Sequence, residues 1–201
     1  MSAHVFCKRQ RWGIAVCGFV TAGLALSVSI AAAAEIKSVN LKDDSVEISI
    51  SGKIASGDAD LVAARVKAAT DAGKSVTSVR LNSDGGSLLE GVRLAAIVRS
   101  AKLSTNVGQN ATCASACFLV FAAGDTKFAY VHARIGVHGA SEEDGNESRK
   151  ATVAMARIAE ELTVPSSIIR RMVNTPPNDM TWLSLNDLRS MGADIKHYKT
   201  Q

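Results

Sequence analysis

The chain has 201 residues, of which 47% are apolar, 21% charged and 4% aromatic. This length and composition fit one ordinary folded domain and exclude a disordered, collagen-like or disulfide-dense chain. The formal charge is +4, but part of that charge lies in an N-terminal segment with a different character.

Residues 1–34 contain no Asp or Glu and have the three-part layout of a secretory signal peptide. A basic stretch at 8–11 is followed by an apolar run at 12–30 and by three alanines at 32–34. We therefore predict cleavage before Glu35; the alternative is an uncleaved membrane anchor. Removal of its three cations lowers the formal charge from +4 to +1, so we expect no nucleic-acid partner and no membrane attachment after cleavage.

Residues 35–201 are predicted to form one α/β domain, because strand and helix patterns alternate along them. The apolar run at 114–123 cannot be assigned by periodicity, and Glu90 is expected on the solvent side of its helix. In chain order, the pattern predicts a strand at 46–50, a helix from Asp58 or Asp60 to about Ala72, a strand at 75–81, a glycine turn at 82–87, a helix at 88–102, a strand at 103–107, an extended segment at 127–137, a loop at 139–147, a helix at 148–162, a short helix ending near 173, and a last helix near 185–191.

Two cysteines remain after cleavage, Cys113 and Cys117. In an oxidising compartment they could form a disulfide, although a spacing of four lies at the long end of the separation that such a bond tolerates. They could equally be two buried thiols that fill core space. Both possibilities stay open at this point.

Two short segments could carry chemistry. The Asp84-Gly85-Gly86 turn lies between a strand and a helix, where glycine N–H groups can face an anion or a developing oxyanion; such a pair is also an ordinary tight turn. Ser115 lies between two alanines and could be a nucleophile if a histidine reaches it, for which His138 at a strand end is the candidate. Each residue alone is more typical of a structural role.

Three segments taken in order, 81–87, 114–116 and 133–138, resemble the proteolytic subunit of the Clp protease. That family carries N-S-P-G-G, A-S-M and M-I-H at these places, and residues 182–194 are similar to its last helix. The chain is identified as a secreted, divergent member of the Clp-protease-like branch of the crotonase superfamily. The resemblance implies a layered α/β domain with a largely parallel sheet and flanking helices.

The resemblance implies a role for each matching residue. Ser115 matches the nucleophile and His138 the general base, while the N–H groups of Gly86 and Ala116 match the oxyanion hole. The third triad member is less well matched, because the family's Asp falls on Met180 here.

Asp179, one residue before Met180, is therefore the candidate acid, and a surface turn residue is the alternative. A second departure is Asp84, which replaces the turn proline and adds a negative charge beside the oxyanion site.

We expect from this a secreted, ATP-independent serine peptidase acting on peptides or unfolded segments, with no cofactor and no metal. A homo-oligomer is expected through the helix at 148–162, unless its apolar face is buried within one subunit. The alternative is an inactive module of the bacterial envelope; acyl-thioester chemistry is disfavoured because its coenzyme is not expected there. A glycan on the sequon at Asn110 would crowd Ser115, which favours the bacterial periplasm.

Overall fold

The structure, a computed structural model, describes residues 33–142 and 145–197. The predicted signal peptide lies almost wholly outside this part, and the first strand begins directly after the predicted cleavage point. The strands are β1 (Glu35–Asn40), β2 (Ser45–Ser51), β3 (Ser75–Asn82), β4 (Ser104–Val107), β5 (Thr112–Ala114), β6 (Lys127–Tyr130), β7 (Arg134–Val137), β8 (Thr181–Trp182) and β9 (Ala193–Lys196). The helices are α1 (Asp58–Asp71), α2 (Leu88–Ser100), α3 (Ala116–Ala122), α4 (Arg149–Glu161), α5 (Ser166–Asn174) and α6 (Leu185–Ser190).

The main sheet has the strand order β1-β2-β3-β4-β6-β9. β1 is antiparallel to β2, and the other neighbours in this sheet are parallel. In β3, Val79 and Leu81 are buried while Arg80 and Asn82 are exposed, which is the period-2 pattern of a strand with one face on the core. The predicted α/β class with a largely parallel sheet and flanking helices is confirmed.

A second, smaller sheet has the order β5-β7-β8. Strand β5 is parallel to β7, and β8 is antiparallel to β7. The sequence predicted one extended segment over 127–137, and this is wrong in one respect: a turn closed by the Ala133 N–H and the Tyr130 carbonyl (2.8 Å) divides it. The first part joins the main sheet as β6 and the second joins the small sheet as β7, because the turn redirects the chain.

Helix α3 is buried along its whole length, with Phe118 and Phe121 among the largest fully buried side chains. A helix without a solvent face has no polar residues to mark its period, which is why the run at 114–123 could not be assigned. The run also contains the end of β5, so it changes conformation at Ser115.

Glu90 is not on the solvent side of α2, as the sequence predicted; it is 3% exposed. Its carboxylate accepts a hydrogen bond from the Ala59 N–H at the start of α1 (3.0 Å) and pairs with Arg93 (2.9 Å). The Ala59 hydrogen bond is the main cause that lowers the pKa of Glu90, with Arg93 acting in the same direction and burial against them. A charged group can be buried here because both bonds compensate its lost hydration.

Helix α4 confirms the helix predicted over 148–162, and Ser148 caps it. Its buried side chains are Thr152, Met155 and Ala159, so this face packs within the chain. None of the helices in the described part of the chain combines the length and apolar character that crossing a bilayer requires.

Candidate active site

Ser115 occupies a sharp turn between strand β5 and helix α3. Its backbone has φ 56° and ψ −126°, although it is not glycine. Such a conformation costs a non-glycine residue on the order of 1–3 kcal/mol and is characteristic of functional sites. The Ser115 N–H donates to the Gly136 carbonyl of β7 (3.1 Å), and the Phe118 N–H donates to the Ser115 carbonyl (2.9 Å). A serine in a strained strand-to-helix turn is the geometry that exposes a nucleophilic hydroxyl.

The Ser115 hydroxyl is not used to cap its helix. Ser87, Ser148 and Ser184 also precede helices, and the side chain of each accepts a hydrogen bond from the third residue of its helix. Ser115 makes no such bond. The Ser115 hydroxyl therefore does not have the structural role of a helix cap.

The glycine turn is held against the segment that follows β2. The Ile54 N–H donates to the Gly85 carbonyl (2.8 Å), and the Ser87 N–H donates to the Ile54 carbonyl (2.9 Å). The Gly85 N–H donates to the Ser83 hydroxyl (3.1 Å). These bonds fix the turn on both sides, so its backbone groups keep a defined direction.

Gly85 lies directly against the serine turn. A Cβ on Gly85 would be 2.6 Å from the Ser115 Cβ and 3.1 Å from the Ala116 nitrogen, and the φ of Gly85 is +103°. At Gly86, φ is +141° and a Cβ would be 2.1 Å from the Ile54 carbonyl oxygen. Glycine is therefore required at both positions by space and by backbone conformation.

Two backbone donors lie on either side of this contact. Ile54 and Gly86 are partners in a parallel bridge. In such a bridge Ile54 hydrogen-bonds to the two neighbours of Gly86, which are Gly85 and Ser87. The Gly86 N–H is therefore directed away from Ile54. The Ala116 N–H is in the first turn of α3, where helical N–H groups have no intrahelical acceptor. Neither group has a backbone acceptor within residues 33–142 and 145–197; Gly86 is exposed, whereas Ala116 is buried.

His138 directly follows β7, and the register relates it to Ser115. Ala114 is paired with Gly136, so His138 lies one position beyond the residue opposite Ser115. Its Nδ1 is buried and has no hydrogen-bond partner in the described part of the chain. Burial lowers the pKa of His138 below its ordinary value of 6.5, with contact to the Gly139 backbone acting in the opposite direction. A neutral imidazole at neutral pH can accept a proton.

Asp179 is not joined to His138. It is exposed, and its carboxylate accepts a hydrogen bond from the N–H of Met180 (2.7 Å). The two causes that shift the pKa of His138 are burial and the Gly139 backbone, and no carboxylate is among them. Strand β8 pairs Thr181 with Val137, so the next pair in this antiparallel register is Met180 opposite His138. The Met180 sulfur lies 2.7 Å from the position that a Cβ on Gly136 would take. The Met180 thioether therefore lies over Gly136, and Met180 takes the register position opposite His138 that an acid would need.

Cys113 and Cys117 form a disulfide, with Cα atoms 5.2 Å apart. The bond connects the middle of β5 to the second residue of α3, and both residues are fully buried. Of the two possibilities that the sequence left open, the structure contains the disulfide.

Two glycines that the sequence reasoning did not single out help to position Ser115. Gly91 of α2 allows close packing, since a Cβ there would be 2.9 Å from the Ala116 Cβ. Gly136 of β7 accepts the Ser115 N–H and lies under Met180 and Trp182. A glycine inside a helix and another inside a strand are the available signals, because each weakens its element unless a close approach requires it.

A cleft of about 500 Å³ borders the glycine turn. It is lined by polar and small residues from three chain segments, which are Ser51, Gly52, Lys53, Asn82, Ser83, Asp84, Gly85, Gly86 and Thr112. Asp84 is exposed, so its carboxylate is solvated beside the turn. Ser115 and His138 are not among the residues that line the cleft.

Solved protease structures share this fold. ClpP1 from Listeria monocytogenes is 17% identical with a TM-score of 0.58, and a ClpP1 mutant from the same organism is 19% identical with a TM-score of 0.58; each comparison covers 76% of this chain and 92% of the other. A mutant of the 1510-N membrane-bound stomatin-specific protease is 15% identical with a TM-score of 0.56, covering 76% of this chain and 78% of the other. No curated protein matches the chain.

The sequence pattern of the Clp protease family matches residues 31–178, which is most of the chain. The chain belongs to the Clp protease family. The resemblance predicted from the serine, glycine and histidine segments is confirmed, and family membership supports a peptidase.

Proposed function

We propose that this chain is a serine peptidase in which Ser115 is the nucleophile and His138 the general base. The observation that carries the proposal is the strained turn of Ser115, whose hydroxyl does not cap α3 and whose Cβ is in contact range of the glycine turn. Strain of this kind persists only where the surrounding structure enforces it, and it is typical of reactive residues.

In this mechanism the Ser115 oxygen attacks a peptide carbonyl, and His138 takes the hydroxyl proton. The carbonyl oxygen becomes an oxyanion between the N–H groups of Gly86 and Ala116. His138 returns the proton to the leaving amine, which departs and leaves an acyl-enzyme. A water molecule then donates a proton to His138 and attacks the ester, and His138 returns that proton to the Ser115 oxygen as the carboxylic acid leaves.

The proposed substrates are peptides and unfolded segments of proteins. The cleft beside the glycine turn is lined by polar and small side chains, and their hydroxyl, amide and charged groups can hydrogen-bond an extended chain. We propose cleavage without ATP, after export to the periplasm and removal of residues 1–34. Self-association is proposed through surfaces other than the buried face of α4.

The proposed reaction uses a serine–histidine pair without a carboxylate bonded to the imidazole. Asp179, the acid suggested by the resemblance, bonds to Met180 instead. Loss of the orienting carboxylate lowers the rate of such enzymes by several powers of ten and leaves the rest of the machinery in place. The expected peptidase is therefore slow.

A second candidate function is a non-catalytic binding module of the same fold. It is favoured by one observation, the buried Nδ1 of His138 that lacks a partner beside Met180. The two candidates differ in whether Ser115 reacts, because a binding module requires no activated hydroxyl.

The test is covalent labelling of the full chain with a serine-directed fluorophosphonate, followed by peptide mapping. We expect labelling at Ser115 in the wild type and none in Ser115→Ala or His138→Ala. Ser184→Ala is the matched control, because Ser184 also precedes a helix but caps it; its labelling should equal that of the wild type. Absence of labelling in the folded wild type would support the binding module.

A further inference from the structure

Ser115 lies at the centre of a five-residue disulfide loop. Cys113 and Cys117, which are bonded, flank it symmetrically with one alanine on each side. Both cysteines have no exposed surface. The covalent bond therefore spans the same turn that holds Ser115 in its strained conformation.

The bond joins two elements that have separate anchors. Cys113 belongs to β5, which is paired with β7 and bridged to Ser83 at the end of the main sheet. Cys117 is in the first turn of α3, which packs on α2 through Gly91. For Ser115 to relax to an ordinary φ, the start of α3 must move relative to β5, and the disulfide opposes that motion.

The loop is too short for its main effect to be on overall stability. A disulfide restricts the unfolded chain less when the loop that it closes is short, and this loop contains only three residues between the cysteines. Its largest effect is therefore local, on the geometry of the turn that it encloses.

We propose that the Cys113–Cys117 disulfide is a positioning device for Ser115, so that the reactivity of the serine depends on the oxidation state of this pair. The proposal rests on the peptidase function proposed above. Oxidation removes two protons and two electrons from the two thiols and transfers them to a disulfide-type oxidant, which becomes a dithiol. A thiol reductant reverses the step. The reduced chain keeps the same atoms in the core but holds the serine turn by packing alone.

The dependence on oxidation has a consequence for where the peptidase acts. Cytosolic thiols are kept reduced, whereas the bacterial periplasm is oxidising. A chain with Cys113 and Cys117 as thiols would carry a poorly positioned nucleophile before export. The disulfide would complete the site only in the compartment that we propose for the mature protein.

The test compares the full chain in two forms, one oxidised and one prepared and kept in a thiol-free phosphine reductant. Mapping of alkylated peptides verifies the state of Cys113 and Cys117. The second-order rate of fluorophosphonate labelling at Ser115 is measured at a temperature where circular dichroism shows both forms folded. We expect the reduced form to be labelled about tenfold more slowly, and reoxidation with oxidised glutathione to restore the rate.

Two controls separate positioning from other effects. The variant with both Cys113→Ala and Cys117→Ala lacks the loop disulfide, so its labelling rate should be slow. It retains the two N-terminal cysteines, and a rate that does not change with the reductant would show that these two do not cause the effect. Val98→Ala removes part of a buried side chain of α2, outside the disulfide loop, and lowers stability. Its labelling rate should stay within about twofold of the wild type while its Tm falls.

The outcomes distinguish this proposal from the peptidase proposal. Equal labelling rates in the oxidised and reduced forms would overturn the positioning role and leave the peptidase proposal standing. A reduced form that cannot fold would also overturn it, since the bond would then serve the fold as a whole. No labelling of the folded, oxidised wild type would overturn both proposals together.

Discussion

The contact between Gly85 and Ser115 makes Gly85→Ala the most direct perturbation of the site. The new Cβ would lie 2.6 Å from the Ser115 Cβ, where carbon atoms at optimal contact are about 3.5–4.0 Å apart. The serine must therefore move by about 1 Å, a displacement that can lower the rate of an enzyme about hundredfold. Overpacking costs about 1–3 kcal/mol and a non-glycine residue at positive φ about 1–2 kcal/mol, so the free energy of unfolding should fall by about 2–5 kcal/mol.

Gly57→Ala is the matched control for this substitution. Gly57 has φ +94°, close to the +103° of Gly85, but no atom lies within 4 Å of the position of its Cβ. It should lose only the backbone cost of about 1–2 kcal/mol and keep the wild-type labelling rate. Urea denaturation and the fluorophosphonate labelling rate measure both effects. If the two variants lose equal stability and are labelled equally fast, the reasoning about Gly85 and Ser115 is refuted.

Other predictions address the proton acceptor, the missing acid and the buried carboxylate. Because burial lowers the pKa of His138 and only its neutral form accepts a proton, the acid limb of kcat/KM against pH should have its midpoint below 6.5; a midpoint above that value would contradict the assignment. Asp179→Asn should change kcat by less than about twofold, whereas Met180→Asp should raise it about tenfold by placing a carboxylate opposite the imidazole; a large loss in the first variant would instead identify Asp179 as the third triad member. Glu90→Gln should lower the free energy of unfolding by about 1–3 kcal/mol at pH 7 by weakening its bond to Ala59. The pKa of Glu90 is lowered in the folded chain, so this contribution is present in full above 4.5 and is lost as the pH falls through the folded value; urea denaturation at pH 7 and pH 3 should show a smaller difference between variant and wild type at pH 3 than at pH 7.

The sequence pattern predicted the elements whose two faces differ. The strand at 75–81 and the helix at 148–162 alternate between buried and exposed side chains, so their periods can be read locally, and both were found. Helix α3 and Glu90 could not be predicted in the same way. A helix that is buried on all sides has no polar stripe, and the burial of a carboxylate depends on a donor contributed by a different helix, in this case Ala59.

The candidate site shows the same division. Ser115, His138 and the Gly85-Gly86 turn could be selected from short motifs in their correct order, because motifs of this kind record which residue types the chemistry needs. The conformation of Ser115, its freedom from capping and its contact with Gly85 required the folded chain. Whether Asp179 accompanies His138 also depended on the register of β8, since a shift of one residue puts Met180 there instead.

By itself, the order of the residues determined the α/β class, the Clp protease family and the small set of side chains that could carry chemistry. Only the tertiary structure decided which of these meet, because strands β5 and β7 and the glycine turn are brought together by pairing between segments far apart in the chain. It also decided that the cysteines bond across the serine turn, a result that depends on the backbone path through that turn and not on their spacing of four.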